Sequence, residues 1–254
     1  MGGFSLGLIG GALADVILRR YEWNDVAARQ GYAAANKLEI LFGPSIWEQF
    51  RERTILDFGC GHGQEAIEIA QRGAKEVIGL DLREDVLETA REHLAATDLR
   101  NCRFATTWDS RADVILSVDS FEHFDDPGAV LEQMSRWLQP DGRVVFSFGP
   151  PWLHPLGGHL PLFPWAHLLL TERALMKWRS KYKNDGARRF REVAGGLNQM
   201  TIGNFERVVE NSPLRIESMQ TVPIRAARPL HNRLTREFLT SVVRGSLVQR
   251  GKRS

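Results

Sequence analysis

Apolar positions along this chain alternate between two rhythms. Short, nearly continuous apolar runs fall at Thr54–Phe58, Glu76–Asp81, Cys102–Thr106, Asp113–Val118 and Arg143–Phe148, the pattern of strands buried on both faces. Between them, Gln64–Gln71, Arg83–Ala96 and Pro127–Leu138 are predicted helices. The second of these repeats its apolar residues at Val86, Leu87, Ala90 and Leu94, which one helix face can bury. Gly73 stands where a helix can end in the left-handed conformation, and Pro140-Asp141-Gly142 stops the third helix. Such alternation predicts an α/β fold, a doubly wound, seven-stranded, mostly parallel Rossmann-like sheet with right-handed crossovers.

The rhythm differs on either side of this unit. Ala27–Phe50 is a predicted helical lead-in with Leu38, Leu41, Ile46 and Phe50 as its contacts. From residue 149 to 198, five prolines punctuate Trp152, Leu153, Leu156, Phe163 and Trp165 before a helical run at Glu172–Trp178. A long insertion of that kind is expected to be a helical lid rather than a coil. Thr201–Asn211 is then a predicted helix, Leu214–Val222 a strand and Ser246–Gln249 a short last strand. The expected organisation is a lead-in over 1–53, a core over 54–149, a lid over 150–198 and the rest of the sheet over 199–254.

Composition narrows the classes. The 254 residues suffice for one large domain, and a net charge of +2 gives no general pull toward nucleic acid. The basic excess is local, from Arg225 onward, where Arg228, Arg233, Arg236, Arg244, Arg250, Lys252 and Arg253 face Glu237 as the one acid, and reads as a solvated basic face, with attraction of an anionic acceptor or partner as the alternative. Two cysteines offer no disulfide framework, so a reducing, cytoplasmic setting is expected. The apolar N-terminal run Phe4–Ala14 is too short to span a bilayer before Asp15 interrupts it, and reads as an apolar helix.

The chemistry is concentrated in Asp57-Phe58-Gly59-Cys60-Gly61-His62-Gly63. A buried strand there delivers its carboxyl end into a turn nearly free of side chains, where a ligand can lie against peptide N–H groups. The dinucleotide fingerprint G-x-G-x-x-G would need glycine at position 64, which is Gln64, and the Asp57 carboxylate would repel a pyrophosphate. Asp81 ends the second predicted strand, where a carboxylate can accept both hydroxyls of a ribose. That acid suits any adenosine ligand and does not separate the classes.

These residues resemble motif I and the ribose acid of class I S-adenosylmethionine (SAM)-dependent methyltransferases, in particular the methyltransferase type 11-like and ubiquinone-pathway O-methyltransferases. Asp113–Pro127 resembles that family's motif IV, and Leu138–Phe146 its turn before the fifth strand, with Asp141 in place of a glycine. The resemblance covers residues 54–149. It implies a SAM cradle made by Asp57, Gly59, Cys60, Gly61, Gly63, Asp81, Leu82 and Ser117. Trp108 and Asp109 take the approximate place of the family's adenine acid, after a shortened third connection.

The resemblance also implies a methyl transfer to oxygen or nitrogen of a small-molecule acceptor, apolar or aromatic in view of the lid's side chains. His123 is the first candidate base, since imidazole titrates near neutrality; its alternative role is to buttress the loop. His159, in the Pro-Trp…Gly-His…Pro-Trp pattern of the insertion, is the second candidate. Asp119-x-x-Glu122-His123 resembles the acid-x-x-Glu-His arrangement that holds a divalent cation such as Mg²⁺ in ubiquinone-pathway enzymes. A solvated acidic loop is the alternative for those carboxylates. No nucleic-acid-binding module is evident. An NAD-dependent oxidoreductase and a non-catalytic SAM-binding protein are the competing readings.

Overall fold

A computed structural model describes residues 6–21, 36–193 and 196–251. Seven strands, β1 (Thr54–Phe58), β2 (Glu76–Leu80), β3 (Cys102–Ala105), β4 (Ala112–Val118), β5 (Leu138–Phe148), β6 (Leu214–Pro223) and β7 (Thr240–Gln249), form one sheet in the order β3-β2-β1-β4-β5-β7-β6. The first five pair in parallel, and β7 runs antiparallel between β5 and β6. The order reverses between β1 and β4, and this is the switch point where open α/β sheets bind ligands.

The helices are α1 (Gly11–Leu18), α2 (Lys37–Phe42), α3 (Ile46–Phe50), α4 (Gln64–Gln71), α5 (Glu84–Ala95), α6 (Pro127–Trp137), α7 (Ala166–Leu169), α8 (Glu172–Arg179), α9 (Ile202–Glu210) and α10 (Arg236–Leu239). Local chemistry sets several of their starts. The Asn36 side chain accepts the Glu39 N–H at 3.1 Å at the head of α2, and Asp126 accepts the Ala129 N–H at 3.0 Å ahead of Pro127 on α6.

Alternate strand residues enter opposite cores, as the two-residue period of a strand requires. Leu56, Ile78, Ile115, Val144 and Phe146 pack with α6 and α9 on one face. Ile55, Val77, Val114, Leu116 and Val145 pack with α3, α4 and α5 on the other. Phe121, Phe146, Phe148 and Phe205 stack within the first core, the closest rings being 4.7 Å apart.

Three expectations need revision. The predicted lead-in Ala27–Phe50 lies partly outside the described residues; within them it is two short helices broken at Gly43, which adopts φ +82°. The last strand begins at Thr240 rather than Ser246 because β5 and β6 flank it and supply its backbone partners. Gly245 is required there: a Cβ would lie 2.0 Å from the Ser218 carbonyl oxygen. Finally, β5 already pairs at Leu138, with the Pro140-Asp141-Gly142 turn absorbed as an irregularity in its register with β4. The segment after β5 has its own apolar cluster, in which Trp152, Leu168, Leu175 and Trp178 pack with Ala14 and Leu18 of α1.

Candidate functional site

Beyond the carboxyl ends of β1, β2 and β4, the backbone bends through three glycines with positive φ: Gly59 (81°), Gly61 (53°) and Gly63 (77°). Their surroundings differ. A Cβ on Gly63 would lie 2.4 Å from the Phe104 ring, so this glycine lets α4 pack on the sheet. One on Gly61 would meet nothing within 4 Å, and here the turn is open to a ligand. Cys60 turns inward: it is buried, its Sγ contacts the Gly61 carbonyl oxygen at 3.7 Å, and burial pushes its thiol up. Its N–H donates to the Leu80 carbonyl at 3.1 Å and its carbonyl accepts the Gly63 N–H at 3.0 Å, so its backbone groups brace the turn.

Asp57 is 4% exposed, and its Oδ2 has no hydrogen-bond partner. Burial, then repulsion from Glu65, raises its carboxyl to about 8; Lys37 opposes the shift and Asp81 adds to it. A buried carboxylate oxygen without a partner is costly unless something else satisfies it. Asp81 accepts the Gly61 N–H at 3.2 Å and the Arg83 N–H at 3.0 Å, and pairs with the Arg83 guanidinium at 3.3 Å. That carboxylate therefore ties the glycine turn to β2, with an exposed arginine as its outer partner. Leu82 follows at 89% exposure, an apolar surface beside the turn.

Trp108 is half-buried against the first core; Arg103 lies 5.3 Å from its ring and its Nε1 has no partner. Asp109 is exposed. Ser117 is fully buried inside β4 with an unpartnered hydroxyl.

The proposed metal ligands do not converge. Asp119 adopts φ +51°, which turns its carboxylate to Lys37 at 3.1 Å and to the Ser147 hydroxyl at 3.4 Å. Glu122, one 3₁₀ turn later, points inward and accepts the Gly149 N–H at 3.1 Å. Burial, with repulsion from Asp119, raises its carboxyl to about 8. Among the described residues no three His, Cys, Asp or Glu side chains are grouped to hold a metal ion. The donor set of Asp119, Glu122 and His123 therefore does not fit Mg²⁺, which demands near-octahedral oxygen ligation.

His123 closes the site toward the segment after β5. Its Nδ1 lies 2.7 Å from the Gly196 carbonyl oxygen, which can only accept, so Nδ1 carries the proton and Nε2 is left as the basic nitrogen. The His159 ring stands at 80° to it, 6.0 Å away between centroids. Burial, then the neighbouring His123, lowers His159 to about 4, so it is neutral at physiological pH. Both histidines line a cavity of about 190 Å³ with Gly158, Leu160, Phe190 and Leu197. Arg179 also borders it, held in a bidentate pair with Asp185 at 2.6 Å per contact. A larger cleft of about 590 Å³ lies over the middle of β5, β7 and β6 beneath α2, away from the carboxyl edge. Its size does not make it the site, because the glycine turn and the two buried carboxyl groups with an unpartnered oxygen, Asp57 and Glu122, are elsewhere.

Two contributors escape the sequence reading. Lys37, at the start of α2, bridges Glu65 at 3.2 Å and Asp119 at 3.1 Å in front of Asp57. Asn198 donates to the Phe121 and Phe124 carbonyls at 2.7 and 2.8 Å and so fixes the loop that carries His123. No local pattern marks either; only the basic residue at a helix start ahead of the first strand offered a hint.

A sheet of this order, with an aspartate-led glycine turn after β1 and an acid at the end of β2, defines the class I SAM-dependent methyltransferase fold. The family model described as a methyltransferase domain matches residues 26–216, and the chain belongs to that family. Among curated relatives, the ubiquinone biosynthesis O-methyltransferase of Neisseria meningitidis serogroup C is 35% identical over 105 residues, 38% of this chain and 44% of that protein. The one from Hydrogenovibrio crunogenus is 32% identical over 132 residues, 49% of this chain and 54% of that protein. The chain thus spans about half the length of the curated relatives it matches. A SAM-dependent methyltransferase structure from Mesorhizobium loti is similar in fold, with TM-score 0.54 and 21% identity over 82% of this chain and 97% of that one. No helix among the described residues is long and apolar enough to cross a membrane.

Proposed function

We propose that this protein transfers a methyl group from SAM to an oxygen or nitrogen of a small-molecule acceptor. One observation carries the reading: a buried, unpartnered Asp57 carboxylate oxygen beside the open face of Gly61. That pairing suits the cationic end of the methionine moiety, whose ammonium stabilises the ionised carboxyl, whereas a pyrophosphate offers it no such partner. The Gly61 turn offers a surface for the methionine backbone, and Asp81 offers a bidentate acceptor for ribose hydroxyls once Arg83 swings aside. Leu82 and Trp108 supply apolar surface for an adenine, and the unpartnered Trp108 Nε1 supplies a donor.

SAM contributes an electrophilic methyl whose thioether leaving group needs no proton. The protein's task is then alignment and removal of the acceptor's proton. His123 is the proposed base, through Nε2, with the Gly196 carbonyl holding its tautomer. His159 stays neutral and apolar enough to pack against an aromatic acceptor. The segment over 150–198 excludes water from that exchange. No metal step enters the mechanism.

Isothermal titration with SAM, its demethylated product and NAD tests the reading. SAM should bind, and Asp81→Ala should weaken it about 10- to 100-fold, the range for losing hydrogen bonds to a charged group. Tighter binding of NAD than of SAM, or unchanged SAM affinity in Asp81→Ala, would sink it.

A further inference from the structure

The loop joining β6 to β7 combines features that the methyl-transfer reading does not use. An antiparallel pair can be closed by two residues, yet residues 224–239 intervene here. Because β6 and β5 both run antiparallel to β7, this loop leaves the same carboxyl edge as the candidate site. It is tightly organised. Ile224 N–H donates to the Leu239 carbonyl at 2.8 Å, and Thr235 Oγ1 donates to the Leu230 carbonyl at 2.6 Å. Its single carboxylate, Glu237, accepts the Ile202 and Gly203 N–H groups at 3.0 and 2.7 Å and so anchors the loop on the start of α9.

What such an ordered loop exposes is therefore informative. Leu230, Leu234 and Phe238 are 66%, 89% and 43% exposed, four positions apart. Between and beside them stand Arg225, Arg228 and Arg233, all exposed and without an ion pair among the described residues. A cleft of about 470 Å³ is lined by Glu206, Thr221, His231, Asn232, Arg233 and Arg236, and the Arg236–Glu206 pair leaves Arg233 as its uncompensated charge. Apolar tips flanked by the unpaired guanidiniums of Arg225, Arg228 and Arg233 match the two layers of an anionic lipid surface, acyl chains and phosphates.

We propose that the 224–239 loop docks the protein on anionic phospholipid bilayers, with Leu230, Leu234 and Phe238 entering the interface and the arginines meeting phosphate. The charge complementarity favours lipid over a second copy of this chain, whose corresponding face would be equally cationic.

Vesicle co-sedimentation of the full chain tests this, with phosphatidylcholine vesicles against vesicles that also contain phosphatidylglycerol. The expected result is binding to the anionic vesicles alone, weakened by added salt. Arg228→Glu with Arg233→Glu should lower the partition at least about tenfold, since each basic residue near such a surface contributes about fivefold. Leu230→Glu with Leu234→Glu should lower it comparably, and both double variants should keep the wild-type melting curve because the altered residues are exposed. No binding to anionic vesicles, equal binding to neutral ones, or indifference to both double variants would overturn the proposal. So would a dimer in sedimentation velocity that the leucine double variant abolishes, which would assign the face to a second copy. None of these readouts depends on SAM binding, so the methyl-transfer reading and this one fail separately.

Discussion

The two halves of the candidate site are built by different means. On the β1–β2 side, the ligand surface is backbone: glycines in the left-handed region, amides tied down by Asp81, and a carboxylate with an empty oxygen. On the side that follows β5, the surface is side chains: His123 and His159 edge to face, bordered by Leu160, Phe190 and the neutralised Arg179–Asp185 pair. Backbone and charge recognise a ligand common to many reactions. Packed side chains recognise whatever single acceptor fits them, so the first half can serve many reactions while the second is particular to one.

The sharpest way to separate the halves is His123→Gln. As a base acting on the acceptor, its loss should lower kcat about 10²- to 10⁴-fold. The affinity for SAM should not move, because His123 belongs to the other half. A comparable loss of SAM affinity would make it a support for the cofactor turn instead.

A smaller effect distinguishes glycines within the first half. Gly63→Ala pushes a methyl to 2.4 Å from Phe104 and should destabilise the fold by about 1–3 kcal/mol from overpacking, plus the strain of its positive φ. Gly61→Ala meets open space and should cost only the backbone strain of about 1–2 kcal/mol, while obstructing the ligand. Thermal melts and SAM titrations of the pair should therefore rank in opposite orders. A common ranking would mean that Gly61 has no ligand-facing role.

Much of the first half was legible because its signals are local. β1 and α4 occupy the predicted spans Thr54–Phe58 and Gln64–Gln71, since an apolar run followed by alternating glycines leaves little choice of conformation. The proposed adenine end was less so: Trp108 packs partly against the first core, a contact that no local pattern in the sequence announces. The metal reading failed for a specific reason. Residues three apart share a face only in regular helix, and the positive φ of Asp119 breaks that regularity, sending one carboxylate to Lys37 and leaving the other beneath Gly149. Lys37 itself, and the packing of α1 against the segment after β5, join parts of the chain far apart in sequence. Neither leaves a periodic trace.

The central claim is that Asp57 awaits a cationic ligand. Its carboxyl, raised to about 8 by burial, holds a proton near neutral pH in the free protein. Binding of an ammonium beside it stabilises the charged form, so the proton must leave and affinity must rise with pH up to about 8. Titration of SAM in buffers of differing ionisation enthalpy measures this directly. The wild type should release close to one proton near neutrality, and Asp57→Asn should release clearly less and bind SAM more weakly. SAM binding without proton release, or release identical in the variant, would contradict it.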